Sequence, residues 1–279
     1  MDKTFWQEVV KNECKLPDGY TVAQLTPDLL GFLGSADIEV RDPVGYTVLA
    51  YWMVRDGHYT PDDLRAMRDQ LIANLSVGIG QQNTDTVFLR SFSILMLSLI
   101  AYRDNQVDFL SAEEVKALLD KALRYFKAEQ DLRGYVLEKG WAHSCAHTAD
   151  AFKFLARNAK TDGGDHARIL NAIADKLLLP VTYIYVHSED ERLVSALVDI
   201  LKRELVRLPV WESWLERFTS WKRSWPKDGD FKVTIHAPWL NIKNFLRSLY
   251  FRLEWTDDLP APATELKPKV LEVLKEYGQ

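Results

Sequence analysis

The sequence predicts an all-α protein, a single helical-repeat domain spanning residues 1–279, and three observations lead there. Helix-start signatures recur along the chain, strand signals are nearly absent, and amphipathic segments alternate with segments that are apolar almost all round.

The starts come first. Ser, Thr or Asp followed by Pro or acidic residues can satisfy the free amides of a first helical turn. Such starts are read at Thr26-Pro27-Asp28, Asp42-Pro43, Thr60-Pro61-Asp62-Asp63, Ser111-Ala112-Glu113-Glu114 and Ser188-Glu189-Asp190-Glu191, the last two with the spacing of a capping box. Phe231 to Ile235 alternates in the β manner, but it is short and isolated, so an extended linker is expected there.

Two kinds of helix follow. Leu64, Met67, Leu71 and Leu75, and likewise Val115, Leu118, Leu119, Ala122 and Phe126, mark amphipathic outer helices. Val87 to Tyr102, apolar all round, and Ala142 to Ala151, dense in small residues, belong inside. Inner-type segments begin near Asp42, Asp85, Gly140, Glu189 and Asn241, at intervals of about 43, 55, 49 and 52 residues, close to the period at which helix pairs stack. The expected architecture is an αα-superhelix of about five to six stacked pairs, a HEAT-like solenoid that stays open or closes toward a toroid. The echo of Phe88-Leu89-Arg90-Ser91 in Phe245-Leu246-Arg247-Ser248, each early in an inner-type segment, agrees with it.

Composition narrows the function classes. With 47% apolar residues and 9 Trp the chain has ample material for a core and is not a disordered one. A balance of 35 basic against 40 acidic residues gives no bulk field for nucleic acid or anionic lipid, so neither is expected as a partner. Cys14 and Cys145 stand far apart, which suggests neither a disulfide framework nor a cysteine-rich zinc site. The polar N-terminus lacks the pattern of a signal peptide, and Val87 to Tyr102 is shorter than the roughly 20 residues a membrane span requires. A cytoplasmic location without membrane contact is expected.

The densest chemistry lies in Gly140-Trp141-Ala142-His143-Ser144-Cys145-Ala146-His147-Thr148-Ala149-Asp150. On a helix, His143, His147 and Asp150 would share one face. Histidines at this spacing can chelate a divalent metal with Asp150 as third ligand, although Ser144 stands where zinc proteases carry their general base. Packing alone also accounts for the segment, with small residues in close contact and the histidines hydrogen-bonded across the interior. A polar ligand site is the third reading; no cofactor is predicted, and a divalent metal enters only under the first. Cys145 points away from His143 and reads as a small core residue.

Comparison of the inner-type segments adds Asp85 and Arg90, Glu189, Asp190 and Arg192, and Asn241, Asn244 and Arg247, all placed in the first two turns. Parallel inner helices would gather these starts along one rim, where free amides and helix dipoles favour an anion. The alternative is that the acids are caps and each Arg bridges neighbouring repeats. Trp211, Trp214, Trp221 and Trp225 form a helical stripe and read as core, whereas Trp141 stands beside the histidines. No Gly-rich phosphate loop or nucleophile elbow is present.

Thr84-Asp85-Thr86-Val87-Phe88-Leu89-Arg90-Ser91-Phe92-Ser93, then Asp131-Leu132-Arg133-Gly134-Tyr135 running into Lys139-Gly140-Trp141-Ala142-His143 with His147 and Asp150, and further Glu189-Asp190-Glu191-Arg192-Leu193 and Phe245-Leu246-Arg247-Ser248 carry a resemblance over most of the chain. In these residues the sequence resembles a bacterial family, domain of unknown function 2785. The resemblance implies an all-helical protein and carries over no catalytic residue. The expected function, the default for a helical-repeat fold, is a binding module whose polar groove takes a peptide, a protein or a small anionic ligand. The alternative is a metal-dependent or acid–base enzyme centred on the His143/His147/Asp150 helix.

Overall fold

Helices follow one another from the first residues, as the capping signals require, and the computed structural model describes residues 1–225, 232–257 and 259–278. Helix α1 (Lys3–Lys11) is capped by Asp2, and α2 (Val22–Phe32) by a reciprocal Thr21–Gln24 box. Pro27 therefore stands inside a helix already begun, and Thr26 turns its hydroxyl back to the carbonyl of Val22 instead of opening a helix. The next rod, residues 38–55, starts at Asp37 and not at Asp42. It runs as α3 (Ile38–Val40), a π-helical stretch Arg41–Tyr46, α4 (Thr47–Ala50) and a second π-helical stretch Tyr51–Arg55. Pro43, which has no N–H to donate, is accommodated in the first π stretch.

Helices α5 (Pro61–Asn74), α7 (Ala112–Ala128), α9 (Gly163–Leu178), α11 (Leu208–Arg223) and α13 (Ala261–Glu276) alternate with α6 (Thr86–Val107), α8 (Ser144–Arg157), α10 (Glu189–Arg203) and α12 (Val233–Trp255). Along one row α6 packs on α8, α8 on α10 and α10 on α12; along the other α7 packs on α9, α9 on α11 and α11 on α13. The stripes Leu64, Met67, Leu71, Leu75 and Val115, Leu118, Leu119, Ala122, Phe126 are all buried, as their spacing predicts. Thr60–Asp63 and Ser111–Glu114 form capping boxes; Ser188 does not, because its backbone is left-handed (φ 63°). Trp211 and Trp214 are core, and one cluster of buried residues extends from Trp6 to Tyr277.

Three further expectations change. Helix α6 spans 22 residues, longer than the apolar stretch suggested. Among the described residues it is the one helix long and apolar enough to cross a membrane, yet most of it is buried against its neighbours. Helix α12 begins at Val233, so the supposed linker is in part helix, while Phe231 lies outside the described residues. Ahead of α8 a short antiparallel pair, β1 (Tyr135–Val136) and β2 (Gly140–Trp141), replaces the anticipated helical start. Its turn needs Gly140, which has φ +79° and lies so close to Ile38 that a Cβ would come within 2.4 Å of Cδ1.

Candidate functional site

A cleft of about 560 Å³ opens between the 38–55 rod, α6, α8 and the start of α10. Its floor and one wall are apolar, made by Tyr46, Phe92, Leu95, Leu99 and Phe154. Its other end is polar, with Trp141, His143, His147, Asp150, His187 and Arg192.

His147 projects from the first turn of α8 and is 5% exposed. Its Nδ1 lies 3.1 Å from the carbonyl of Ser91, which can only accept, so the proton is assigned to Nδ1 and Nε2 keeps a lone pair. That Nε2 has no hydrogen bond among the described residues. Burial, with competition from His143 for a proton and the nearby cation of Arg192, holds the ring well below the ordinary histidine range, so it is neutral. The edge of Phe92 lies against it, ring centres 5.2 Å apart.

His143 is not a helical residue. It stands at the head of α8 in the left-handed region (φ 51°), fixed by its own N–H to the carbonyl of Arg133. The ring stacks on Trp141 at 4.6 Å and donates through Nε2 to the carbonyl of His187 at 2.9 Å. Burial lowers its pKa to about 4.

The loop between α9 and α10 supplies His187 and is held by Asn241 of α12, which accepts from the amide of Tyr185 (2.8 Å) and donates to the carbonyl of Tyr183 (3.0 Å). His187 Nδ1 lies 3.3 Å from the Tyr183 hydroxyl, which also accepts the amide of Gly134 at 2.8 Å. Behind both rings sits Glu189, fully buried. One oxygen accepts the amide of His187 at 2.8 Å; the other, Oε1, has no hydrogen bond and lies 3.7 Å from His143 Nε2 and 3.9 Å from His187 Nδ1. Burial pushes its carboxyl pKa up.

Two ion pairs frame the opening. Arg192 meets Asp150 at 2.8 Å with its side chain 45% exposed, and burial raises the pKa of Asp150 against that cation. Asp42 lies 2.9 Å from Arg41, whose guanidinium is fully buried over Phe88 and Phe92 and bonded to the carbonyls of Ser35 and Lys139. Burial likewise raises the pKa of Asp42.

Of the residues singled out from sequence, Trp141, His143, His147, Asp150 and Arg192 line the cleft and Glu189 stands just behind it. The others lie elsewhere. Arg90 is sealed, bonded through Nε and Nη2 to Glu129 (2.6 and 2.9 Å) and through Nη1 to the carbonyls of Val77 and Gly78 and the hydroxyl of Thr86. Asp85 is exposed and paired with Lys139, and Asp190 accepts from Ser248. Asn244 and Arg247 sit about three and about four turns into α12, since that helix begins at Val233, and Arg247 is exposed. Metal-ligand geometry is absent among the described residues: no group of three His, Cys, Asp or Glu comes together to hold an ion. Cys145 is buried, its thiol pushed up to about 12 by burial.

His187, Tyr183, Gly134, Tyr46 and Phe92 are site residues that sequence reasoning missed. Gly134 and Tyr183 belong to loops without periodicity. The signal within reach was Asp131-Leu132-Arg133-Gly134, in which Arg133 chelates Asp131 (2.7 and 2.8 Å) and Asp131 in turn accepts the amide of Asn83, a closed knot that fixes the glycine.

Fold and site together define an all-helical protein with a histidine-lined, partly aromatic cleft. The chain belongs to the family described as Protein of unknown function (DUF2785), which matches residues 75–251, from the end of α5 to within α12. No curated protein and no solved structure matches it. The matched segment holds His143, His147, Asp150, His187, Glu189 and Arg192, whereas Arg41, Asp42 and Tyr46 lie outside it.

Proposed function

We propose that the chain is a helical-repeat binding protein, its helix pairs stacked as an αα-superhelix, and that the cleft takes a small anionic molecule bearing an O–H or N–H group. His147 carries this reading: a neutral imidazole, almost wholly buried, keeps one nitrogen without a partner beside a cavity of ligand size. A donor on a ligand in the cleft can bond that nitrogen. Arg192 is half exposed and holds Asp150 through one nitrogen, leaving donors for a carboxylate or phosphate. Tyr46, Phe92 and Leu95 offer the apolar part of the ligand a wall. A cytoplasmic setting suits the two buried, unpaired thiols, Cys14 and Cys145.

Glycolate, lactate and inorganic phosphate are suitable probes, read by thermal shift and by the histidine resonances. At least one is expected to raise the melting temperature of the wild type, because a ligand selective for the folded state stabilises it. The shift should vanish in His147→Leu and shrink in Arg192→Ala. A shift that survives both substitutions places the ligand elsewhere and ends the reading.

A further inference from the structure

The orphaned oxygen of Glu189 has a use that ligand binding alone does not supply. A buried carboxylate without a full complement of donors is costly, and two imidazole nitrogens lie within reach of Oε1, at 3.7 and 3.9 Å. His143 is already committed, its Nε2 donating to the carbonyl of His187, so it clamps the backbone at that residue. His187 is different. Its Nδ1 edge faces Glu189 Oε1 and the Tyr183 hydroxyl, its Nε2 has no hydrogen bond among the described residues, and its ring lines the cleft with 29% of the side chain exposed.

From this geometry we infer that His187 is the proton-transferring residue of the cleft and Glu189 its positioning residue, so that the site performs acid–base chemistry on water or on an O–H of its ligand. The inference rests on the reading of the cleft as a ligand site. Glu189 favours the tautomer with the proton on Nδ1, which leaves the Nε2 lone pair for the cleft. When an O–H is deprotonated its bond breaks heterolytically. The proton bonds to Nε2, the electron pair stays on oxygen, and the imidazolium is opposed by the Glu189 carboxylate. Arg192 is the cation in the same cleft available to the oxyanion. No oxidant or co-reactant is needed.

The site is built for this approach. A Cβ on Gly134 would come within 2.3 Å of His187 Nδ1 and 2.7 Å of Glu189 Oε1, so only glycine lets ring and carboxylate close on each other there. The charged and titratable groups around the pair are few. They are Tyr183 and Tyr185 on its own loop, Asp131 and Arg133 on the loop after α7, His143 at the head of α8 and Cys145 in its first turn, and Asp190 and Arg192 on α10. Asp131 and Arg133 bond each other, which leaves Glu189 as the nearest counter-charge to His187.

Long-range proton–nitrogen spectra of the full chain labelled with ¹⁵N-histidine read the tautomer directly. Wild-type His187 is expected as Nδ1–H, and Glu189→Gln, whose amide can donate to Nδ1, should turn it to Nε2–H. Hydrolysis of 4-nitrophenyl acetate, in which a base draws a proton from water, tests the chemistry. Its rate above buffer should fall about tenfold or more in His187→Gln and in Glu189→Gln. An Nε2–H tautomer in the wild type overturns the inference, and that measurement stands even if a variant fails to fold. So does a hydrolysis rate that does not depend on His187. Both readouts are made without glycolate, lactate or phosphate, so failure of those probes to bind ends the proposed ligand class while leaving the proton centre to its own test.

Discussion

Arg90 and Arg192 occupy similar places, each within the first turns of a helix in the same row, yet they do opposite things. Arg90 is fully buried and every nitrogen of its guanidinium is spoken for, two on Glu129 and the third on carbonyls and a hydroxyl. Glu129 in turn accepts the amide of Asp131, and its own carbonyl accepts the ammonium of Lys176. Charge that is completely matched closes a structure and offers nothing to a visitor. Around Arg192 the matching stops halfway. Asp150 takes one nitrogen and His147 keeps a free lone pair beside the cavity, and Glu189 keeps a free oxygen just behind it. The two regions are also joined, because the loop that Arg90 anchors through Glu129 is the one that presents Gly134 to His187.

Breaking the sealed region should cost most. Arg90→Ala leaves Glu129 charged and buried without its partner and is expected to lower stability by about 3–5 kcal/mol in urea titration. A loss below about 1 kcal/mol would mean that the cluster is not sealed. Gly134→Ala is next, at about 1–3 kcal/mol from overpacking, because an added Cβ meets the His187 ring and the buried Glu189 carboxylate at once. The same variant should disturb the His143 and His187 resonances together.

His147→Leu sharpens the comparison from the open side. It removes one hydrogen bond to Ser91, worth about 1 kcal/mol, and replaces a polar group by an apolar one, so stability should change by no more than about that amount. Its pH dependence is the better test. The folded pKa of His147 is depressed, so below the unfolded value near 6.5 the unfolded state binds a proton the folded state does not. That contribution is present above pH ~6.5 and lost as pH falls below it. Wild type minus variant should therefore show stability declining as pH falls below about 6.5, and a flat difference would place the ring in water. Arg192→Ala is the smallest, under about 1 kcal/mol, since a half-exposed ion pair is well screened. A cost as large as that of Arg90→Ala would erase the distinction between the two regions.

Much of the fold was legible. The stripes Leu64 to Leu75 and Val115 to Phe126 are local periodicities, and local periodicity decides which face of a helix is buried whatever it packs against. Helix starts were legible where a side chain reaches its own third residue, as at Thr60 and Ser111. They failed at Ser188 and Thr26, where backbone handedness or an earlier cap had already settled the matter. The Phe88–Ser91 and Phe245–Ser248 echo shows the limit well. Both phenylalanines are fully buried, but Arg90 meets a glutamate from the loop after α7, while Arg247 lies on an exposed face.

The sequence by itself determined that the chain is helical, which residues face inward, and that His147 and Asp150 stand one turn apart, because each follows from spacing along one helix. Only the tertiary structure decided that His187, from a loop without periodicity, joins that segment, that Glu189 stands behind both rings with one oxygen unmatched, and that Arg90 is locked away. Those outcomes depend on contacts between residues some 40 to 60 positions apart, and no pattern along a single helix can encode the distance between two side chains that meet only when the helices stack.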